Sequence, residues 1–63
     1  MRKLLTRDDV RTMDRNGETP TDILSEAITS GLEYPDAEWL VRNTLRMTDE
    51  EVDEMRDNYM TRS

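Results

Sequence analysis

The stretch that decides the fold is YPDAEWLVRNTLRMTDEEVDEM, residues 34–55 of a 63-residue chain. Pro35 is followed at once by an acidic residue, a combination typical of the first turn of a helix. Thr48 is followed three residues later by Glu51, which is the spacing of a capping box. The stretch also contains Trp39, the only tryptophan of the chain. We predict two helices here, joined by a tight corner, at residues 35–46 and 49–60.

Two similar helix signals lie upstream. Thr6 stands three residues before Asp9, which resembles a capping box with Asp in place of the usual Glu, and Gly17 follows as a typical helix terminator. Thr19 precedes Pro20, so a hydroxyl cap is followed by proline at the first helical position. The additional predicted helices are residues 7–15 and 20–30. No pattern of alternating strand residues occurs, and we predict one all-α domain over residues 1–63, with three to four short helices in a small bundle of helix-turn-helix-like pairs.

Apolar residues recur at helical spacing along every predicted helix. We expect the side chain of Trp39 to lie in the core, and the alternative is that it contacts a partner. The other predicted core residues are Leu4, Leu5, Val10 and Met13 around the first helix, Ile23, Leu24, Ala27 and Ile28 on the second, Leu40, Val41, Thr44 and Leu45 on the third, and Val52, Met55, Tyr59 and Met60 on the fourth.

Two segments of the chain resemble each other. LTRDDVRTMDRN, residues 5–16, aligns without gaps on MTDEEVDEMRDN, residues 47–58. Both segments are capped amphipathic helices, and such helices converge on this pattern. Duplication is the alternative, with the two helices as equivalents at either end of the domain.

The composition argues against catalysis. Apolar residues make up 33% of the chain and charged residues 38%, so the core must be thin. The chain has no Cys and no His, which removes disulfides, thiol nucleophiles and the imidazole base. Carboxylates alone need a cleft to act in, and a chain this short rarely builds one. We predict a protein that is not an enzyme and that has no cofactor and no metal.

The charge of the chain limits its partners. A net charge of −6 disfavours direct binding to nucleic acid, which needs a basic surface. The first ten residues lack the apolar run of a signal peptide, and no run is long enough to span a membrane. We expect a protein partner or a homo-oligomer, no membrane, and a cytoplasmic location.

A basic ridge, Arg7, Arg11 and Arg15, recurs every four residues along the first predicted helix. These arginines could pair with acids of the same chain, among them Asp8, Asp14 and the acids of the fourth helix. The alternative is that the ridge contacts an acidic partner or a second copy of the chain. Sensitivity of an assembly to salt would separate these readings.

An acidic run opens the fourth predicted helix. Acids in the first turn are favoured by the helix dipole, so a solvated face is the ordinary interpretation. The alternatives are a surface that mimics nucleic acid and, with the least support, a metal site. The acids concerned are Glu50, Glu51, Asp53 and Glu54.

The region around Trp39 has the residue types that are enriched in interface hot spots. Aromatic and arginine side chains occur together here, with large apolar residues close by in the sequence. The predicted partner-binding residues are Tyr34, Trp39, Leu40, Arg42, Leu45, Arg46 and Met55.

Residues 34–55 resemble a short segment near the C-terminus of the portal proteins of T-even-like tailed phages. The resemblance rests on Tyr34, on EWL at 38–40, on RN at 42–43, on LRMTDEEV at 45–52 and on EM at 54–55. It covers about a third of the chain, and its most specific part is the spacing from Trp to Thr. Portal proteins are several hundred residues long and form a ring at one capsid vertex, so this chain is too short to be a portal. The resemblance implies a phage or prophage origin and a module used in virion assembly. The expected location is then the cytoplasm of the host cell, with association to a virion as the alternative.

We therefore predict a small, non-catalytic phage-type structural or assembly module that docks on a larger virion component or on copies of itself. The alternative function is a phage-encoded acidic inhibitor of a host nucleic-acid-binding defence enzyme, acting as a nucleic-acid mimic.

Overall fold

A computed structural model of the chain describes residues 3–62. Within these residues the chain forms four α-helices and no strand. The predicted all-α fold is confirmed. The helices are α1 (Arg7–Arg15), α2 (Pro20–Ser30), α3 (Tyr34–Leu45) and α4 (Asp49–Arg62).

Threonine caps fix the starts of three helices. The Thr6 hydroxyl accepts a hydrogen bond from the backbone N–H of Asp9, whose carboxylate accepts one from the backbone N–H of Thr6. At the start of α2 the Thr19 hydroxyl accepts a hydrogen bond from the backbone N–H of Asp22. Thr48 and Glu51 make the same reciprocal pair as Thr6 and Asp9 at the start of α4. These contacts satisfy backbone donors that a helix start would otherwise leave open.

The bounds of α1 and α2 coincide with the predicted ranges, while α3 and α4 differ at their ends. α3 begins one residue early, at Tyr34, because proline is compatible with the first turn. It also ends one residue early, since Arg46 adopts the left-handed conformation with φ 52°. The Met47 N–H then donates to the Arg42 carbonyl at 3.0 Å, which closes the corner. α4 continues two residues beyond the predicted end.

Helix α2 is central to the bundle. It packs against α1, α3 and α4, and α1 also packs against α3. The Ser30 hydroxyl at its end accepts a hydrogen bond from the Leu5 N–H at 3.0 Å, which fixes the segment before α1. The buried apolar residues form one cluster: Val10, Ile23, Leu24, Ala27, Ala37, Val41, Val52 and Met55.

The expectation that Trp39 lies in the core is wrong, because its side chain is 59% exposed. Ala37 and Val41 are one turn apart and face the core. Trp39 lies two residues from each of them, about 200° around the helix, and therefore points outward.

Two further predicted core residues are exposed. Met60 is 57% exposed, because it follows the inward-facing Tyr59 by one position, about 100° around the helix. Leu4 is half exposed before α1, although its methyl group lies close to Gly31.

Candidate functional site

The outer face of α3 carries a surface depression of about 330 Å³ around the exposed tryptophan. We call it the Trp39 groove. Five of its six residues come from α3, and one comes from α4. Its lining residues are Tyr34, Pro35, Glu38, Trp39, Arg42 and Arg56.

Helical spacing brings the α3 residues of the Trp39 groove together. Pro35, Glu38, Trp39 and Arg42 occupy positions i, i+3, i+4 and i+7, which lie along one face of a helix. The inward face of the same helix is fixed by buried Ala37 and Val41. Burial of the one face thus turns the other toward solvent.

An ion pair joins the two helices that form the Trp39 groove. The guanidinium of Arg56, on α4, donates a hydrogen bond to the carboxylate of Glu38, on α3. The Glu38 side chain is only 15% exposed, so this pair is less screened than a surface pair. The Asp53 carboxylate lies 3.7 Å from the same guanidinium. The hydrogen bond to Glu38 is the main reason that the pKa of Arg56 is raised.

Tyr34 forms the inner edge of the Trp39 groove. Its ring packs against that of Tyr59, with 5.6 Å between the ring centroids. Its hydroxyl oxygen is buried and has no hydrogen-bond partner among residues 3–62. Burial raises the pKa of Tyr34, the charge of Glu38 raises it further, and the nearby Arg56 opposes both.

Arg42 stands at the rim of the Trp39 groove. Its guanidinium donates to the Asp49 carboxylate at 3.3 Å. Both side chains are largely exposed, and such a pair contributes only about 0–1 kcal/mol. Arg42 can therefore exchange this contact for a carboxylate of a partner at little cost.

The structure brings together only part of the predicted partner-binding set. Tyr34, Trp39 and Arg42 share the Trp39 groove. Leu40 and Leu45 are partly buried against the core, and Arg46 is exposed at the corner after α3. Met55 does not line the Trp39 groove: it is 2% exposed and belongs to the core cluster.

Three residues of the Trp39 groove were missed by sequence reasoning. The helical spacing from Trp39 could have found Pro35 and Glu38. Nothing in the sequence pointed to Arg56, because its position depends on how α4 returns beside α3.

The basic ridge, Arg7, Arg11 and Arg15, is exposed. Within the described part of the chain its one ion pair joins Arg11 to Asp8 at 3.9 Å. The expected pairing with Asp8 is therefore present at Arg11. No ion pair joins the ridge to Asp14 or to an acid of α4 among the described residues, and α4 packs against α2.

Some acidic residues of α4 make a hydrogen bond or an ion pair within the chain, and others make no ion pair with a described residue. Glu51 is held by the capping box and Asp53 lies near Arg56. Glu50, Glu54 and Asp57 are exposed and have no ion pair among residues 3–62. A charged, solvated outer face of α4 results.

A search of residues 3–62 finds no group of three acidic side chains arranged to hold a metal ion. The same residues include no helix with the length and apolar character needed to cross a membrane.

Comparison of the chain with protein-family models, with curated proteins and with solved structures gives no match. The resemblance of residues 34–55 to a portal segment therefore stays a prediction.

Proposed function

We propose that this chain is a non-catalytic interaction module that binds a protein partner through the Trp39 groove. The observation that carries the proposal is the 59% exposure of Trp39. Tryptophan and arginine are the residue types most enriched in binding hot spots, and both stand in this groove. A partner that covers Trp39 would gain the free energy of burial that folding leaves unused.

We further propose that the partner is a component of a phage particle. The support is the resemblance of residues 34–55 to a segment of phage portal proteins. Four residues of that resemblance line the Trp39 groove: Tyr34, Glu38, Trp39 and Arg42. The module would act in virion assembly, docked on a larger component or on a copy of itself.

The test is co-purification from phage-infected cells with wild-type chain, Trp39→Ala and a matched control, Met60→Ala. Met60 is also a large apolar residue with more than half of its surface exposed, and it is not among the residues that line the Trp39 groove. Wild type and Met60→Ala should retain a virion protein identified by mass spectrometry, and Trp39→Ala should lose it. Equal recovery with all three chains would contradict the proposal, as would recovery of no virion protein by wild type.

The alternative function is inhibition of a host nucleic-acid-binding defence enzyme by mimicry. The observation in its favour is the set of exposed, unpaired carboxylates on α4, which are Glu50, Glu54 and Asp57. Spaced carboxylates on a helix face can occupy a basic groove that is built for phosphates.

Reversal of these three charges to lysine tests the alternative without touching the Glu51 cap. Inhibition of a phosphate-binding nuclease should disappear while the helical circular dichroism signal stays. The matched control reverses three exposed acids elsewhere, Asp14, Glu26 and Asp36. If the control loses inhibition equally, net charge and not the α4 face is responsible, and the alternative fails.

A further inference from the structure

A second groove lies between the start of α2 and α4. It has a volume of about 250 Å³. We call it the α2–α4 groove. Its lining residues are Thr19, Pro20, Thr21, Met47, Glu51, Glu54, Met55 and Asn58.

The α2–α4 groove has the chemistry to hold a basic side chain. Pro20, Met47 and Met55 supply an apolar wall, and the carboxylates of Glu51 and Glu54 lie at the same groove. No basic residue lines it among the side chains that the structure describes. An arginine combines a hydrocarbon stem with a charged head, so it can cover the wall and pair with the carboxylates at once.

The polar groups of the α2–α4 groove are not all used within the chain. Thr21 is only 5% exposed and lines the groove. Glu54 has no ion pair among residues 3–62, whereas Glu51 uses one oxygen for the cap. The volume is below the ~300–1,000 Å³ usual for small-molecule sites, which favours a single side chain as occupant.

The chain itself carries the complementary group. The basic ridge lies on α1, exposed, with one weak pair at Arg11. Residues 1–16 contain five basic and three acidic residues, and residues 17–63 contain four basic and twelve acidic residues. α1 packs against α2 and α3, so the ridge does not fill the α2–α4 groove of its own copy.

We propose that the basic ridge of one copy docks at the α2–α4 groove of a second copy, where one arginine of the ridge occupies the groove. The two surfaces differ, so the contact is head-to-tail: each copy offers one ridge and one groove, and copies can continue into a ring or a filament. The contact uses neither Trp39 nor its groove and stands apart from the function proposed above. Because it depends on exposed charges, salt should weaken it.

Two variants test the two surfaces of the contact one at a time. The ridge variant carries Arg7→Gln, Arg11→Gln and Arg15→Gln, and the groove variant carries Glu54→Arg. All four positions are exposed on helices, and both new residue types are good helix formers, so both variants should keep the wild-type circular dichroism spectrum. Glu26→Arg is the matched control, because it makes the same charge change on an exposed residue of α2 that does not line the groove.

The measurement is sedimentation velocity at low salt over a range of concentrations. Wild type and Glu26→Arg should form species larger than a monomer that grow with concentration and disappear in 1 M salt. Each variant alone should remain monomeric. An equal mixture of the two variants should give a heterodimer and nothing larger, since only one intact ridge and one intact groove can meet.

The proposal is overturned if wild type stays monomeric at every concentration, or if the variant mixture gives no heterodimer. Assembly that persists in the groove variant, or that disappears equally in Glu26→Arg, also overturns it. None of these results depends on whether Trp39 binds a virion component, so failure here and failure of the proposed function are distinguishable.

Discussion

The two faces of α3 place their apolar residues in opposite environments. Ala37 and Val41 on the inner face are completely buried, and Trp39, between them in the sequence, is 59% exposed on the outer face. Burial of a large apolar side chain stabilises a fold by about 1.5–3 kcal/mol. A chain with a thin core that leaves its only tryptophan exposed forgoes most of this stabilisation. The difference teaches that folding is carried by the inner face and that recognition is left to the outer one.

The largest expected effect on stability comes from the buried cluster, which contains the inner face of α3 and also Ile23 of α2. Ile23→Ala removes a completely buried side chain of α2, the helix that contacts the other three. Such a substitution lowers the free energy of unfolding by about 2–5 kcal/mol. A chain of 63 residues has roughly 3–9 kcal/mol in total, so much of the variant should be unfolded at 25 °C. Urea titration followed by circular dichroism measures this. If Ile23→Ala lowers the free energy of unfolding no more than Trp39→Ala does, buried and exposed apolar residues do not differ in their contribution to stability, and the comparison is contradicted.

The second effect lies at the corner that joins α3 to α4. Thr48→Ala removes the hydroxyl that accepts the Glu51 N–H at 3.2 Å, and loss of such a cap lowers stability by about 1 kcal/mol. Thermal unfolding should show a lower midpoint for Thr48→Ala and a nearly unchanged one for Thr48→Ser, which keeps the hydroxyl. Equal midpoints for alanine and serine would show that the corner does not depend on the cap.

The third effect concerns the boundary between the two faces, where Tyr34 lies. Its folded-state pKa is raised by burial, so the folded chain holds the phenol proton more tightly than the unfolded chain. Stability should therefore fall as pH rises above the ordinary tyrosine pKa of about 10. Tyr34→Phe should reduce this alkaline loss and should not lower stability at pH 7, because the buried hydroxyl has no partner. Denaturant titrations of wild type and Tyr34→Phe, at pH 7 and in alkaline buffer, measure the free energy of unfolding under each condition. A clear loss at pH 7 would show that the hydroxyl has a partner.

The smallest effect on stability is expected for Trp39→Ala. An exposed side chain outside the core contributes little, and a change within about 0.5 kcal/mol is expected. The free energy of unfolding should be close to that of wild type, while binding to a virion component is lost. A loss of several kcal/mol would place Trp39 in the core and would remove the basis of the proposed function.

Much of the fold could be predicted from local chemistry. Thr6, Thr19 and Thr48 marked helix starts because capping depends on residues within one turn, and the structure has a cap at each of them. The stripe from Ile23 to Ala27 was predicted correctly because helical spacing alone defines the inward face of α2.

The candidate site could be predicted only in part. Trp39 is expected in the core because the chain has so few apolar residues, although Ala37 and Val41 fix the helix with the opposite side inward. The sequence gives little sign that Ala37 faces the core, because alanine is small and occurs on both buried and exposed helix faces. The contact of Arg56 with Glu38 spans eighteen residues of sequence and depends on packing that no local pattern encodes.

The most direct test of the account is the fluorescence of Trp39, the only tryptophan of the chain. Because Trp39 is 59% exposed, we predict for the isolated folded protein an emission close to that of an indole in water, ready quenching by acrylamide, and only a small red shift when urea unfolds the chain. Emission shifted to the blue, protected from acrylamide and moving to the red on unfolding would place Trp39 inside the core and contradict the account.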